Sequence, residues 1–146
     1  MKVYTRRGDD GTTGLLYGGR VAKDSPAPTA YGSVDEAQAF IGLARAHAEP
    51  GGELDTLLIA VEHDLWVLMA ELATNPERRR RGKPGQSLVT AEMVTKLEER
   101  IDEVMSRFDP PTDFVVPGAN PVCAALDVAR TVVRRAERAA MSTAAE

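Results

Sequence analysis

Apolar side chains return every three or four positions through most of this chain, the period of helices that bury one face. Four such segments can be read after an N-terminal stretch of about thirty residues that carries no helical period. Ser33-Val34-Asp35-Glu36 has the form of a capping box, so the first helix is predicted to start at Ser33. Val34, Ala37, Ile41, Ala44 and Ala48 mark its inner face, and Pro50-Gly51-Gly52 stops it. The second covers roughly 53–73, with Leu54, Leu57, Leu58, Val61, Leu65, Leu68, Met69 and Leu72 in one stripe, and Asn75-Pro76 ends it. The third has Thr90 as cap, carries Val94, Leu97, Ile101, Val104, Met105 and Phe108 on one face, and breaks at Asp109-Pro110-Pro111. An extended piece, Phe114 to Gly118, leads to a fourth helix with Asn120 as N-cap and Pro121 at its first position, running to about Met141. Four amphipathic helices with short connections predict an all-α, up-and-down bundle behind a long irregular N-terminal loop.

Composition narrows the class. Aromatic residues are only 5% of the 146, which disfavours a β-sandwich. No apolar run approaches the roughly 20 residues that span a bilayer. The N-terminus MKVYTRRGDD has no apolar core of the kind a signal peptide needs, so the chain reads as cytoplasmic, with no membrane partner. A single cysteine, Cys123, excludes an internal disulfide and a multi-cysteine metal site, and His47 and His63 lie too far apart for a local zinc motif. A net charge of −4 speaks against a nucleic-acid partner. The four arginines 78–81 sit in a Gly/Pro-rich segment without interleaved aromatics, so that stretch reads as a solvated, mobile loop.

Two regions carry candidate chemistry. In the fourth helix Arg130, Arg134 and Arg138 recur at i, i+4 and i+8 beside the apolar arc, with Asp127 and Glu137 on the same side. A half-buried guanidinium needs a carboxylate or another anion, and its fork suits the paired oxygens of a polyphosphate. The same pattern is also that of a solvated face with pairs such as Arg134 with Glu137 or Arg130 with Asp127. In the N-terminal stretch, Thr5-Arg6-Arg7-Gly8-Asp9-Asp10-Gly11-Thr12-Thr13-Gly14 gathers glycines, hydroxyls and arginines, and Lys23 lies within reach. Such a loop can turn backbone N–H groups toward an anion, although it is neither a Walker loop nor a dinucleotide fingerprint. An N-terminal cluster of turns explains it equally well. Asp35, in the predicted first helical turn, suits the macrodipole and could also be the counter-ion of Arg130.

Taken in order, YTRRGDDGTTGLL (4–16), AYGSVDEAQAFIGLARA (30–46) and FVVPGANPVCAALDVARTVVRRAERAA (114–140) resemble the ATP:cob(I)alamin adenosyltransferases of the propanediol-utilisation type. The resemblance covers nearly the whole chain, 1–146, as a single domain with a nucleotide loop over 1–30 and a helix bundle over 32–141. It implies a homotrimer with ATP bound between subunits. It places Thr5, Arg6, Arg7, Gly8, Thr13, Gly14 and Lys23 on the triphosphate from one side, and Arg134, Arg135, Glu137 and Arg138 from the other. Mg²⁺ would ride with the ATP beside Glu137. Asp35 and Arg130 correspond to a family ion pair on the cobalamin side, and Phe114 to an aromatic crowding the lower face of cobalt. Arg134, Arg130 and Asp35 are then the residues expected to support the transfer itself. The resemblance further implies a corrinoid reductase and an adenosylcobalamin-dependent enzyme as partners.

Three departures stand out. Pro117-Gly118-Ala119-Asn120 replaces the family's Pro-Gly-Gly-Ser/Thr, and Asp127 replaces a common histidine. The family's further helix with Asn-Arg-Leu-Ser-Asp is expected to be lacking, since the sequence stops at Glu146. These departures motivate an alternative, a protein that binds ATP or adenosylcobalamin for delivery or sensing without turnover. A bundle that has lost the ligand site is a third reading.

Overall fold

The computed structural model describes residues 4–143. Two short strands, β1 (Thr12–Gly14) and β2 (Arg20–Ala22), precede four α-helices: α1 (Pro26–Ala46), α2 (Glu53–Leu72), α3 (Ala91–Met105) and α4 (Pro121–Thr143). A 3-10 helix, Pro76–Arg81, lies between α2 and α3. The chain is predominantly helical, as the apolar period requires.

The first helix begins at Pro26 rather than Ser33. Ser25 occupies the N-cap position in extended geometry, and Pro26 stands where a missing N–H costs nothing. Ser33 caps nothing; its hydroxyl donates to the Thr29 carbonyl 2.8 Å away, one turn back inside the helix. Two prolines and a glycine within 26–32 hid about two turns of helix from a reading by periodicity. Asp35 is therefore well inside α1, and the macrodipole argument for it lapses.

The N-terminal stretch also holds regular structure that periodicity could not reveal. β1 and β2 pair antiparallel, Thr12 with Ala22, Thr13 with Val21 and Gly14 with Arg20. Their connection needs left-handed backbone at Tyr17, Gly18 and Gly19. The hairpin is seated on the end of α2: Leu16 N–H donates to the Ala73 carbonyl at 2.7 Å, and Asn75 N–H donates to the Leu16 carbonyl at 3.1 Å. The Asn75 amide also donates to the Gly18 carbonyl at 2.9 Å. A Cβ on Gly19 would come within 2.8 Å of that amide, so the turn fits Asn75 only as glycine.

The arginine run is ordered rather than a free loop. Asn75 caps it by accepting from Glu77 N–H, Arg79 pairs with Glu71, and the Arg81 guanidinium lies 5.3 Å over the Tyr17 ring. Tyr17 in turn shares a hydrogen bond with the Ser87 hydroxyl. The segment after α2 is thus the floor on which the N-terminal hairpin rests.

α1 is the central helix. Its Ala30, Val34, Ala37, Ile41 and Ala44 are buried, and α4 meets them with Ala125, Ala129, Val132 and Ala136. Small residues on both sides let the two backbones approach closely. The pairing is antiparallel: Ile41 and Ala44, late in α1, cluster with Ala125 and Ala129, early in α4, while Arg135 farther along bonds Glu36. α2 returns along the other side of α1. Arg45, partly covered, donates to Asp55 at 2.8 Å and to the buried Glu62 at 2.7 Å, clasping the two helices near their connection. The carboxylates hold the Arg45 guanidinium above its ordinary value, and Asp55 is held low first by the Gly51 N–H and then by Arg45.

α3 follows α2 back, fixed at its end by Arg107 bonding to Glu53 and Glu103. Thr90 caps it as the sequence predicts, with its side chain accepting from Met93 N–H. Its apolar face is not core, however. Val94, Leu97, Ile101, Met105 and Phe108 are all exposed, and α3 buries no residue among those described. Periodicity identified a face to be covered, not what covers it.

Candidate active site

α4 opens as its sequence requires, with the Asn120 side chain accepting from Cys123 N–H at 2.9 Å. Its 3.6-residue period places Ala125, Ala129 and Ala136 against α1 and turns the arginines away. Arg130, Arg134, Arg135 and Arg138 are all exposed, as is Glu137. The expectation of half-buried guanidiniums is corrected: Ala125, Ala129, Val132 and Ala136 carry the seam, so the arginines need no buried counter-ion. Arg130 lies 3.5 Å from Asp127. It forms no bond with Asp35, which is exposed and makes no ion pair among the described residues. The other partner expected within the helix is absent too, since Arg134 and Glu137 make no ion pair among the described residues. Arg138 instead donates to the Arg134 carbonyl at 3.1 Å, and Arg135 bonds Glu36 of α1. Arg134 thus presents an uncommitted guanidinium between two neighbours that are held.

At the other wall, residues 5–11 form a tight succession of turns that leads into β1. Arg6 has φ 60° and Gly11 φ 82°. Thr5 accepts from the Arg7 N–H, and the Asp9 and Gly11 N–H groups donate to the Arg6 and Gly8 carbonyls. Asp10 accepts both the N–H and the hydroxyl of Thr12, and these bonds, ahead of the nearby Arg20 charge, hold its carboxyl below the ordinary value. Lys23 closes the turn by donating its N–H to the Gly11 carbonyl at 2.9 Å. Its side chain lies across Gly8, so that a Cβ there would come within 3.1 Å of the ammonium. Gly8 and Lys23, fifteen positions apart, are brought together; Thr13 and Gly14 lie in β1 alongside.

Among the described residues, no hydrogen bond or ion pair joins this loop to the arginine face of α4. A cleft of about 700 Å³ lies between the hairpin and the end of α4, lined by Leu15, Ala27, Leu68, Leu72 and Ala140 and by the polar Glu71 and Arg79. Glu137 stands instead on the rim of an apolar groove between α1, α2 and α4, with Val34, Ala37, Leu65, Leu68 and Val133.

A third surface lies at the start of α4. Phe114 is fully exposed, and Val115 and Val116 nearly so. Val115 and Val116 line a shallow hollow with Cys123, Leu126, Asp127 and Arg130. Three consecutive large apolar side chains in water mark a surface that a binding partner would cover. Sequence reasoning missed two residues that organise the site. Asn75 ties the hairpin to α2, and Arg20 ties β2 to the loop; only the run Gly18-Gly19-Arg20 just before Lys23 hinted at the second.

No helix among the described residues is long and apolar enough to cross a membrane, and no cluster of three or more metal-ligating side chains occurs among them.

A sequence model of the family described as cobalamin adenosyltransferase matches residues 3–146. The corrinoid adenosyltransferase PduO of Salmonella typhimurium is 39% identical over 146 residues, all of this chain and 42% of its own length. The corrinoid adenosyltransferase of Bacillus subtilis is 40% identical over 141 residues, 94% of this chain and 69% of its own length. The chain thus spans under half of the first relative and about two thirds of the second. Among solved structures, a phenylalanine-to-alanine variant of the PduO-type ATP:corrinoid adenosyltransferase of Lactobacillus reuteri, complexed with cobalamin and ATP, superposes with a TM-score of 0.87 at 29% identity. That superposition covers 99% of this chain and 79% of that one. With the family model matching nearly the whole chain and relatives near 40% identical over the same span, the chain belongs to the cobalamin adenosyltransferase family.

Proposed function

We propose that this chain transfers the 5′-deoxyadenosyl group of ATP to cob(I)alamin, giving adenosylcobalamin and triphosphate. The observation that carries the reading is the pairing, in one chain, of a stapled Gly/Thr loop under Lys23 with an exposed arginine row whose central member, Arg134, is uncommitted. Its relatives' names and the ATP and cobalamin held by the solved neighbour point the same way.

In the transfer, the filled orbital of Co(I) attacks C5′; the Co–C bond forms as the C5′–O bond breaks, and triphosphate leaves with the electron pair. The metal is the nucleophile, so the protein supplies no serine, cysteine or histidine for that role. Its work is to hold C5′ in line with cobalt and to stabilise the charge growing on the leaving group. Thr5, Arg6, Arg7, Gly8, Thr13, Gly14 and Lys23 bind the triphosphate from the loop side. Arg134, Arg135 and Arg138 meet it from the helix side, with Arg135 exchanging Glu36 for a phosphate oxygen. Mg²⁺ fits as a companion of the triphosphate rather than a resident of the protein, because Glu137 is a lone carboxylate and Mg²⁺ is commonly held by one or two carboxylates plus phosphate oxygens. Phe114 with Val115 and Val116 meets the corrinoid. A lower face crowded by Phe114 favours the four-coordinate metal and so eases reduction to Co(I).

Among the described residues the two walls carry no mutual bond, and Asp35 and Arg130 stay apart. Both facts favour sites assembled between subunits, in a homotrimer whose contacts also cover exposed apolar residues of α3. The setting is cytoplasmic, with a corrinoid reductase upstream and an adenosylcobalamin-dependent enzyme downstream.

An anaerobic assay with chemically reduced cob(I)alamin and Mg-ATP tests the reading by the spectral change to adenosylcobalamin. Arg134→Ala is expected to lower kcat by about 10²–10³-fold with the melting temperature unaltered. Undiminished turnover in that variant refutes the role of Arg134. A second reading, binding without turnover, draws on the Asp127–Arg130 pair. It predicts that Mg-ATP or adenosylcobalamin binds while cob(I)alamin is never consumed.

A further inference from the structure

Arg20 belongs to no motif that points to nucleotide, yet the N-terminal loop is gathered around it. It stands at the start of β2, opposite Gly14. Its Nε donates to the Thr12 hydroxyl at 2.8 Å. One terminal nitrogen donates to the Arg7 carbonyl at 2.6 Å and to the Thr12 carbonyl at 3.1 Å, and lies 3.8 Å from the Asp10 carboxylate. A single planar fork therefore ties together both ends of the turn from residue 7 to residue 12.

That turn needs such a tie. Arg6 is held in left-handed backbone that a side-chain-bearing residue rarely adopts, and such geometry persists only where the surroundings over-determine it. The bundle does not supply the constraint, because the hairpin's bonds to α2 are made at Leu16 and Gly18, beyond the turn. Nor is the Arg20–Asp10 pair a source of general stability, since both side chains are well exposed and screened by water.

The direction of the tie matters. A trans peptide sets its C=O and N–H on opposite sides. With the Arg7 carbonyl turned to Arg20, the Gly8 N–H points the other way. Lys23 lies across Gly8, whose missing side chain makes room for the ammonium. An outward amide beside a cation is the start of an anion cradle.

We infer that Arg20 is a positioning residue for the nucleotide: it holds the carbonyl side of residues 7–12 so that the Gly8 amide and the Lys23 ammonium face the triphosphate, without touching it. The inference rests on the adenosyltransferase reading for its ligand, while the ordering of the loop is independent of that reading. Lysine cannot replace the fork, because one ammonium cannot reach the Thr12 hydroxyl and both carbonyls in the plane that the guanidinium provides.

The test uses the full chain with Arg20→Gln, Arg20→Lys and, as a control for lost positive charge, Arg78→Gln in the exposed 3-10 helix. Amide hydrogen exchange of peptides within 4–14, without ligand, is expected to quicken at least about tenfold in Arg20→Gln, with α1 and α4 peptides and the melting temperature unchanged. The KM for Mg-ATP is expected to rise at least about tenfold with kcat within about threefold, Arg20→Lys falling between and Arg78→Gln matching the parent. Unaltered exchange in Arg20→Gln overturns the inference. So does faster exchange with an unchanged KM, or a joint fall of KM effect, kcat and melting temperature that marks a merely structural role. Should the parent chain lack turnover, the adenosyltransferase reading fails separately, and calorimetric titration with inorganic tripolyphosphate decides. Binding at least about tenfold weaker in Arg20→Gln supports the inference; equal binding, or none to either, overturns it.

Discussion

The α1–α4 seam and the N-terminal hairpin are held by opposite physics. In the seam, Ala30, Ala37 and Ala44 face Ala125, Ala129 and Ala136, nearly all their surface removed from water, and the Arg135–Glu36 pair lies outside on the exposed edge. Alanine loses no side-chain entropy on burial, so close approach of the helices costs little and gains dispersion contacts along their length. The hairpin buries almost nothing. It depends on directional bonds at Arg20, Asn75 and Asp10 and on left-handed glycines, each bond contributing about 0.5–1.5 kcal/mol net. A frame built the first way tolerates changes in its arginine surface; a loop built the second way can order and loosen while the frame stays folded. The division suits a site in which α4 displays charge rigidly and the loop closes on a ligand.

Substitutions in the seam should have the largest effect on folding. Ile41→Ala is expected to cost about 2–5 kcal/mol and Ala129→Leu about 1–3 kcal/mol, read from urea unfolding. If Ala129→Leu left stability unaltered, the seam would not be close-packed. Gly19→Ala should act on the other region: its φ of 91° and the 2.8 Å approach to Asn75 displace the turn at a cost of about 1–2 kcal/mol. The expected sign is faster amide exchange over 12–22 with a nearly unchanged global melt; a large drop in melting temperature would make the hairpin part of the cooperative core.

Acid should separate the regions again. Asp10, held low chiefly by Thr12, and Asp55, held low by Gly51 and then Arg45, have folded-state values below the ordinary one. Their contribution is present in full above about pH 4 and is lost as pH falls through the lowered folded values. Loosening of the loop and of the α1–α2 clasp is therefore expected below about pH 4, followed by carboxyl titration in NMR spectra. Asp10→Asn should flatten the loop's pH response and leave the clasp's intact. The smallest effect is expected from Tyr17→Phe, which removes one hydroxyl bond to Ser87 and should shift hairpin opening by about 0.5–1.5 kcal/mol in exchange experiments.

Much of this was legible in the sequence. The helical period located α2 and α4 to within a residue or two, and the caps Thr90 and Asn120 act as their residue types require. The start of α1 was not legible, because Pro26, Pro28 and Gly32 carry no apolar period although Pro26 is well placed at a first turn. β1 and β2 escaped for a similar reason: three residues per strand are too few for alternation to register, and their pairing depends on a turn seated on Asn75, more than fifty positions away. The candidate site divides along the same line. The residue types for holding a polyphosphate were visible in 5–14 and 130–138, but their exposure and partners were not, since these depend on which helix covers which face.

By itself the sequence determined the helical class, most of the inner faces of α1 and α4 and the kinds of chemistry on display, because each follows from a local period or a local cap. Of the α2 stripe it marked, only Leu58 is buried, beside Glu62 and Val67 that the stripe left out. Only the tertiary structure decided that alanines and a few β-branched residues fill the seam and leave Arg134 without an ion pair among the described residues, and that Arg130 lies beside Asp127 rather than Asp35. It alone set Arg20 and Lys23 around Gly8. Those outcomes depend on distances between residues remote in the chain, and a one-dimensional pattern holds no such distances.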